Sequence, residues 1–237
     1  MSQSTHLILM GGGGHASVVA DAAIAAGWIL GGVLDDSPEP EIQGMTVEHR
    51  NASTPKARKF DDPSPVRLGS IRELKQILAS ASAGVERKVH AAVGDNSLRA
   101  QWLNMVEEQR RATILHPSAV ISPSAEIEAG VFVGPLAVIN ARARIGAGAI
   151  VNSAAVIEHD CVIGEFAHIA PRAVLCGRVT VGPRTLLGAG SIMRPGVTIG
   201  GGATIAAGAV VVADVPDGVT ATGVPARWAA TAAAAGR

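Results

Sequence analysis

The sequence is poor in aromatic residues and in cysteine. Its 237 residues include no Tyr, aromatic residues make up only 3%, and there are 2 Cys, although 48% of the chain is hydrophobic. Two cysteines do not make a disulfide framework, so a reducing compartment, the cytoplasm, is expected. A core with so few aromatic side chains must be filled by Val, Ile, Leu and Ala, which favours a repetitive packing.

An excess of charge of either sign is also missing. Lys and Arg total 20, Asp and Glu total 20, and the formal net charge is zero. This balance argues against a nucleic-acid partner, because binding to phosphates requires a basic face. The chain has no run of eighteen apolar residues, and its first ten residues lack the basic region of a signal peptide, so we expect no membrane association.

The second half of the chain contains a six-residue repeat. Every sixth residue from Ile121 is aliphatic: Ile121, Ile127, Val133, Ile139, Ile145, Val151, Ile157, Ile163, Ile169, Leu175, Val181, Leu187, Met193, Ile199, Ile205 and Val211. The fourth residue after each is small. The residue directly after the aliphatic one is Gly or Asn in half of the hexads. Since both tolerate positive φ, the corners of the chain are predicted there.

A period of six favours short strands over a helix. An amphipathic helix repeats every 3.6 residues and would lose its apolar stripe, whereas three short strands and three corners close a coil of about eighteen residues. The pattern resembles the hexapeptide-repeat, left-handed parallel β-helix, and the handedness follows from that resemblance. An inert scaffold is an alternative. The mixed residues before the aliphatics, such as Phe132, Arg144 and His168, disfavour it because such scaffolds carry regular Thr ladders.

The first half reads as a small α/β domain. Residues 6–10 predict a buried strand, Gly11 to Gly14 a tight turn, residues 15–26 a helix, and residues 28–34 a second strand that ends in Asp35-Asp36. Further predictions are a helix over 71–78, a strand over 89–93, a helix over about 97–111 and a strand over 113–115. Residues 37–67 are polar and predict no element.

The predicted architecture therefore has two domains. An α/β, Rossmann-like domain spans residues 1–112, and an all-β, left-handed parallel β-helix spans 113–228. An Ala-rich tail occupies 229–237.

The glycine-rich turn indicates a phosphate-binding loop. Gly11, Gly13 and Ala16 satisfy G-x-G-x-x-A and Asp35 follows about twenty residues later, a pattern typical of dinucleotide binding. An NAD-binding module on a structural β-helix is therefore a rival interpretation. The domain is too short for a full dinucleotide fold, however, and backbone N–H groups at a helix N-terminus bind any phosphate. We therefore favour a nucleotide-linked ligand.

Two histidines of the repeat are candidates for chemistry. His159 lies between Glu158 and Asp160, and a carboxylate beside an imidazole fixes its tautomer and strengthens it as a base. His168 follows half a coil later and so lies on a different side of the protomer, where it can meet a His159 only across an oligomer interface. No third repeat histidine follows His168, so a zinc site is not expected.

Several motifs together resemble one family. They are GGGGH at 11–15, VLDD at 33–36, AVGDN at 92–96, the stretch 151–168 around IEHDCVIG, and GVPAR at 223–227. Over nearly its whole length the chain resembles the bacterial sugar-nucleotide acyltransferases, which include sialic-acid O-acetyltransferases and N-acetyltransferases of UDP-4-amino sugars.

The resemblance implies that residues 1–112 bind the nucleotide sugar and that residues 113–228 form the acyltransferase domain. It also implies roles for individual residues. His159 would be the general base and Asp160 would orient it. The acetyl-CoA site would comprise His168, Asn152, Gly177, Ala189 and Ala207. The nucleotide-sugar site would comprise Gly13, Gly14, His15, Asp35, Asp36 and Gly94. The family is trimeric, which implies a homotrimer with active sites between subunits and no metal.

The predicted function is acetyl transfer from acetyl-CoA to the amino group of a UDP- or GDP-linked amino sugar, in bacterial surface-glycan biosynthesis. The acceptor would attack the thioester directly, without a covalent enzyme intermediate. An O-acetyltransferase of the sialic-acid type is the main alternative.

Overall fold

The N-terminal domain is a four-stranded parallel sheet with helices packed against it. The computed structural model describes residues 4–42, 66–81 and 84–229. The elements of this domain are β1 (Ser4–Met10), α1 (Gly14–Ala25), β2 (Ile29–Leu34), β3 (Arg67–Gly69), α2 (Leu74–Ala79), β4 (Val85–Ala91) and α3 (Asn96–Leu103). The strand order is β3-β2-β1-β4. The central strand β1 ends in four fully buried residues, as the apolar run at 6–10 predicts.

One helix and one strand of this domain differ from the prediction. The helix predicted over 97–111 is wrong in its second half: α3 ends at Leu103, and a separate 3-10 turn covers Glu108–Arg110. The backbone N–H of Val106 donates to Leu103, and this tight turn brings the Val106 side chain into the core. The strand β3 begins at the end of the polar region 37–67, where no element was predicted, and residues 43–65 of that region lie outside the described residues.

The second half is a parallel β-helix, as the hexads predict, and it is left-handed, as the resemblance implies. Its two-residue strands form three flat faces. The domain face contains β5 (Ile114–Leu115), β8 (Phe132–Val133), β11 (Ile150–Val151), β14 (His168–Ile169), β17 (Leu186–Leu187), β20 (Thr204–Ile205) and β22 (Thr220–Ala221). The aliphatic face contains β6 (Val120–Ile121), β9 (Val138–Ile139), β12 (Val156–Ile157), β15 (Val174–Leu175), β18 (Ile192–Met193) and β21 (Val210–Val211). The polar face contains β7 (Glu126–Ile127), β10 (Arg144–Ile145), β13 (Val162–Ile163), β16 (Thr180–Val181) and β19 (Thr198–Ile199).

From β5 to β21 each strand pairs with the strand eighteen residues away, so residues eighteen apart lie on top of one another. In the last coil the separation shortens to sixteen, between Thr204 of β20 and Thr220 of β22. The second residue of each strand points inward, and these side chains form the main core cluster together with the small residues of the corners. Burial of each such side chain contributes about 1.5–3 kcal/mol.

The corners lie elsewhere than predicted. Positive φ occurs three residues after the inward aliphatic, as in Arg142 (φ 59°) and Asp160 (φ 60°), and not at the Gly or Asn that directly follows it. The glycines at that position meet a different need: a Cβ on Gly164 would lie 2.6 Å from the backbone nitrogen of Pro183 in the next coil. They allow close stacking of the coils, while the left-handed residues turn the chain.

The N-terminal domain packs against the lower part of the domain face. The outward side chains of Phe132 and Ile150 join the core formed by Leu7, Leu9 and Val19 of the α/β domain. His168 occupies the next position on this face, at the edge of the contact. The docking therefore brings one repeat histidine to the glycine-rich turn. Within the described residues, no helix is long and apolar enough to span a bilayer.

Candidate active site

His159 lies at the corner between the aliphatic and polar faces. Its Nδ1 is 2.7 Å from Oδ2 of Asp160, and about half of its side chain is exposed. Asp160 is held in turn by Arg142, which donates from Nε to Oδ1 at 2.6 Å and from Nη2 to Oδ2 at 2.9 Å. The three side chains form a chain of charge-assisted hydrogen bonds that leaves Nε2 of His159 directed away from the acid.

The arrangement follows from the coil repeat. Arg142 and Asp160 are eighteen residues apart and both adopt the left-handed conformation, so their side chains meet at the same corner of successive coils. The Arg142 guanidinium, with a smaller contribution from His159, holds the pKa of the Asp160 carboxyl well below its usual range. Asp160 is therefore ionised at neutral pH and fixes the His159 tautomer with the proton on Nδ1.

Gly177 lies one coil above His159, at the same register position. A Cβ on Gly177 would be 2.7 Å from both Cε1 and Nε2 of the His159 ring. The imidazole thus rests on the Cα of a residue that has no side chain. We refer to this region, with His159, Asp160 and Gly177, as the His159 corner.

His168 lies on the domain face, across the coil from the His159 corner. Its Nδ1 is 3.2 Å from the carbonyl oxygen of Gly94, and its Nε2 is 3.2 Å from Nδ2 of Asn152. These partners are satisfied together when Nδ1 donates to the Gly94 carbonyl and Nε2 accepts from the amide of Asn152. His15 is adjacent, with ring centroids 6.3 Å apart.

Both of these histidines are neutral at physiological pH. Burial, followed by the positive charge of Arg99, lowers the pKa of His168 to about 4, and the Gly94 carbonyl opposes this shift. Burial, followed by repulsion from His168, lowers the pKa of His15 to about 3. The Nε2 atom of His15 is buried and has no hydrogen-bond partner among the described residues. The pair therefore offers neutral hydrogen-bonding groups rather than cations.

The glycine-rich turn ends at the N-terminus of α1. Gly13 is the N-cap, no side chain caps the helix, and its first turn contains no acidic residue. The N–H groups at Gly14 and His15 can therefore bind an anion. Asp35 supports the turn: its Oδ2 accepts from the Gly12 N–H at 2.6 Å and its Oδ1 from the Ser37 N–H at 2.7 Å.

Asp36 lies apart from this turn. Its Oδ1 accepts from the backbone N–H of Ile71 at 3.1 Å, at the start of the 3-10 turn that precedes α2. The structure thus brings Gly13, Gly14 and His15 together as predicted residues of the nucleotide loop, with Asp35 as a brace, while Asp36 holds another segment.

The predicted acetyl-CoA residues divide between two corners. Asn152, Ala189 and Ala207 follow strands of the domain face at its corner with the aliphatic face, and both alanines are exposed. We call this the Asn152 corner. Gly177 lies at the His159 corner, on the other side of the aliphatic face. Within one chain the two sets of residues are not brought together.

Two residues that sequence reasoning missed are Arg142 and Arg99. Arg142 could have been found by reading the sequence in steps of eighteen from Asp160. Arg99 lies in α3 and is fully buried between the domains, and no local pattern marks it. The described residues contain no group of three or more His, Cys, Asp or Glu that could hold a metal ion.

Comparison with protein families and curated proteins gives two matches. Residues 6–106 match the model of the PglD N-terminal domain, and residues 178–213 match the hexapeptide repeat of succinyl-transferase. No curated protein sequence matches the chain.

Solved structures match over almost the whole length. PerB, a perosamine N-acetyltransferase from Caulobacter crescentus solved with CoA and GDP-perosamine, is 34% identical, with 95% of this chain and 97% of that chain covered and a TM-score of 0.81. The acetyltransferase domain of PglB from Neisseria gonorrhoeae, solved with acetyl coenzyme A, is 33% identical, with 97% and 100% covered and a TM-score of 0.77. WeeI from Acinetobacter baumannii, at 22% identity, 95% and 100% coverage and a TM-score of 0.76, shares the fold.

Proposed function

Since the chain belongs to the sugar-nucleotide acyltransferase family, we propose that it transfers the acetyl group of acetyl-CoA to the amino group of a nucleotide-linked amino sugar. The observation that carries this function is the match, over nearly the full length of both chains, to an N-acetyltransferase solved with CoA and GDP-perosamine. The hydrogen-bonded pair of His159 and Asp160 supplies a base for the reaction.

The site residues support a direct transfer. The amine of the acceptor attacks the thioester carbon, and Nε2 of His159 accepts the proton that the amine loses. Asp160 keeps the Nδ1 proton in place and stabilises the imidazolium that forms. As the tetrahedral intermediate collapses, the C–S bond breaks, the CoA thiolate leaves, and the imidazolium returns the proton to it. Cys161 is fully buried inside the coil and is not a nucleophile.

The acceptor would bind at the glycine-rich turn. Its phosphates would meet the N–H groups at Gly14 and His15, and its sugar would extend past Gly94 toward His168. Since both oxygens of Asp35 already accept hydrogen bonds from the backbone of its own domain, this carboxylate is less available to a ribose than the dinucleotide pattern predicts.

A homotrimer would complete the site. The outward residues of the aliphatic face are all β-branched and none is fully buried: Val120, Val138, Val156, Val174, Ile192 and Val210. This face separates the His159 corner from the Asn152 corner. If three copies direct their aliphatic faces to a common axis, the His159 corner of each meets the Asn152 corner of its neighbour. Burial of the aliphatic stripe and completion of the divided site both support this assembly.

The decisive experiment is an acceptor panel. Purified protein is mixed with acetyl-CoA and UDP- or GDP-linked amino sugars, with GDP-perosamine as the first, and release of free thiol is followed. For each acceptor, the matching sugar with a hydroxyl in place of the amine is the control. We expect thiol release with an amino sugar and none above background with its hydroxyl counterpart. Release with the hydroxyl sugars alone would instead indicate O-acetylation.

His159 is tested with the acceptor that the panel selects. In His159→Ala, loss of a general base should reduce kcat by about 10²–10⁴-fold while the circular dichroism spectrum stays unchanged. Turnover at the wild-type rate would remove His159 from this role. Thermal shift with UDP-sugars, GDP-sugars and NAD tests the N-terminal ligand, and stabilisation by NAD alone would contradict a nucleotide-sugar site.

A further inference from the structure

Arg99 is a fully buried cation that holds the turn between β4 and α3. Its Nη1 donates to the carbonyls of Val93 at 3.1 Å and Gly94 at 3.2 Å, and its Nη2 donates to Oδ1 of Asn96 at 2.7 Å. The nearby Asp95 carboxylate caps α3, accepting from the Leu98 N–H at 2.7 Å. The guanidinium therefore fixes the segment that contains Gly94 from inside the domain.

The same guanidinium also holds the β-helix. Its Nε donates to the carbonyl of Gly148 at 2.7 Å, and its Nη2 donates to Phe166 at 2.6 Å and to Ala167 at 3.4 Å. Residues 166 and 167 directly precede His168. Arg99 thus joins the two sides of the cleft: the turn that presents the Gly94 carbonyl and the strand that presents the imidazole bonded to it.

Burial of the Arg99 guanidinium costs folding free energy. Among the described residues, no carboxylate forms an ion pair with Arg99, and its hydrogen-bond acceptors are neutral oxygens. A buried ion is less stabilising than well-packed apolar side chains of the same volume. The position between two binding regions, with every guanidinium nitrogen engaged, favours a role in the site over a role in stability alone.

We propose that Arg99 is a positioning residue for the transfer reaction, which sets the spacing between the nucleotide-sugar turn at Gly94 and the imidazole of His168. The proposal rests on the proposed function, because it treats this junction as the place where the acceptor sugar lies. Arg99 acts through Gly94 and His168 and need not touch a substrate.

The charge of Arg99 has a second consequence at the same place. Together with burial, it lowers the pKa of His168 to about 4. The groups around His168 are His15 from α1, the Gly94 carbonyl, Asn152 from the Asn152 corner and Arg99 from α3. His15 is itself neutral, so Arg99 is the cation in this set. A neutral His168 keeps the tautomer that donates to Gly94.

Two substitutions separate geometry from charge. Arg99→Lys keeps a cation but loses the planar guanidinium that reaches six acceptors, and Arg99→Met removes both. The control is Arg111→Met: Arg111 is half-buried and donates from Nε to a backbone carbonyl, that of Val106, at 3.1 Å, away from the cleft. All are compared with wild type by steady-state kinetics and by titration of ¹⁵N-labelled histidines, with His168→Gln used to assign the His168 signal.

We expect both Arg99 variants to raise the KM for the nucleotide sugar by about 10-fold or more and to lower kcat, since charge-assisted hydrogen bonds are lost. The KM for acetyl-CoA should rise less than the KM for the nucleotide sugar, because Arg99 reaches Asn152 only through His168. The His168 titration midpoint should rise by about one pH unit in Arg99→Met and remain low in Arg99→Lys. Arg111→Met should match wild type in all three measurements.

Other results would overturn the proposal. One is an Arg99→Met protein whose KM for the nucleotide sugar and whose His168 titration midpoint both equal those of wild type. The other is a kinetic loss in Arg111→Met as large as that in Arg99→Met. If Arg99→Met does not fold, Arg99→Lys decides the kinetic part. The titration requires no turnover, and the affinity for GDP-perosamine is measured separately by calorimetry. A wild-type protein without acetyl transfer would thus refute the proposed function while these two measurements still judge Arg99.

Discussion

Substitution of Gly177 by Ala is a selective way to displace the proposed base. The added methyl group would lie 2.7 Å from Cε1 and Nε2 of His159. Gly177 is outside the left-handed region, so alanine introduces no backbone strain there. The perturbation is therefore a single steric contact with the imidazole ring.

The size of the effect follows from this distance. Ordinary van der Waals contact begins at 3.4 Å, so the His159 ring must retreat by about 0.7 Å. This movement also strains its 2.7 Å hydrogen bond to Asp160. Misplacement of a reacting group by about 1 Å costs up to about 100-fold in rate. We expect kcat to fall by about 10- to 100-fold, which corresponds to about 1.4–2.7 kcal/mol of transition-state stabilisation.

The assay follows thiol release at saturating acceptor and acetyl-CoA. Gly201→Ala is the matched control. Gly201, like Gly177, is the second residue after an inward aliphatic residue, but it lies at a different corner of the coil. Its added methyl group would meet Pro183 at 3.3 Å instead of a histidine. We expect Gly201→Ala to retain wild-type kcat. Wild-type kcat in Gly177→Ala, or an equal loss in both variants, would refute the reasoning that His159 works from its position on Gly177.

Three further predictions concern the acid, the assembly and the dependence of stability on pH. Asp160→Asn should lower kcat by about 10-fold or more with little change in either KM, since the amide no longer stabilises the imidazolium; an unchanged kcat would contradict the role of Asp160. Val156→Asp on the aliphatic face should convert a species of three times 24.0 kDa into monomers without activity, as measured by light scattering, whereas Thr180→Asp on the polar face should leave it intact. His90 is fully buried, and burial lowers its pKa to about 4. The unfolded chain therefore binds this proton near pH 6.5 and the folded chain does not. The free energy of unfolding should fall by about 1.4 kcal/mol per pH unit between pH 6.5 and 4 from this group, and urea denaturation of His90→Gln should show a shallower slope.

The β-helix could be predicted because its determinants are local. One inward aliphatic residue in every hexad is enough to specify a strand and a corner, and the structure confirms the coil. The position of the turn within each hexad was harder to predict. Leu136, Arg142 and Phe166 are unusual residues for the left-handed conformation. The glycines that directly follow the inward aliphatic residues suggested a corner there, but they lie where the coils stack closely.

The candidate site could be predicted only in part. His159 and Asp160 are neighbours in sequence, and their contact at 2.7 Å was expected from the acid beside the imidazole. The hydrogen bond of His168 to Gly94 joins residues 74 positions apart. It depends on which face of the coil the N-terminal domain covers, and no periodicity within either domain contains that information.

By itself the sequence determined the repeat of strand and corner, the inward ladder and the adjacency of His159 and Asp160, since each depends on residues within one or two hexads. Only the tertiary structure decided which side chains meet. Stacking at a period of eighteen placed Arg142 on Asp160 and Gly177 beside His159. Docking of the α/β domain buried Arg99 between the two halves of the cleft. The reason is that periodic burial is a local property of the chain, whereas these contacts arise from the relative placement of surfaces that are far apart in sequence.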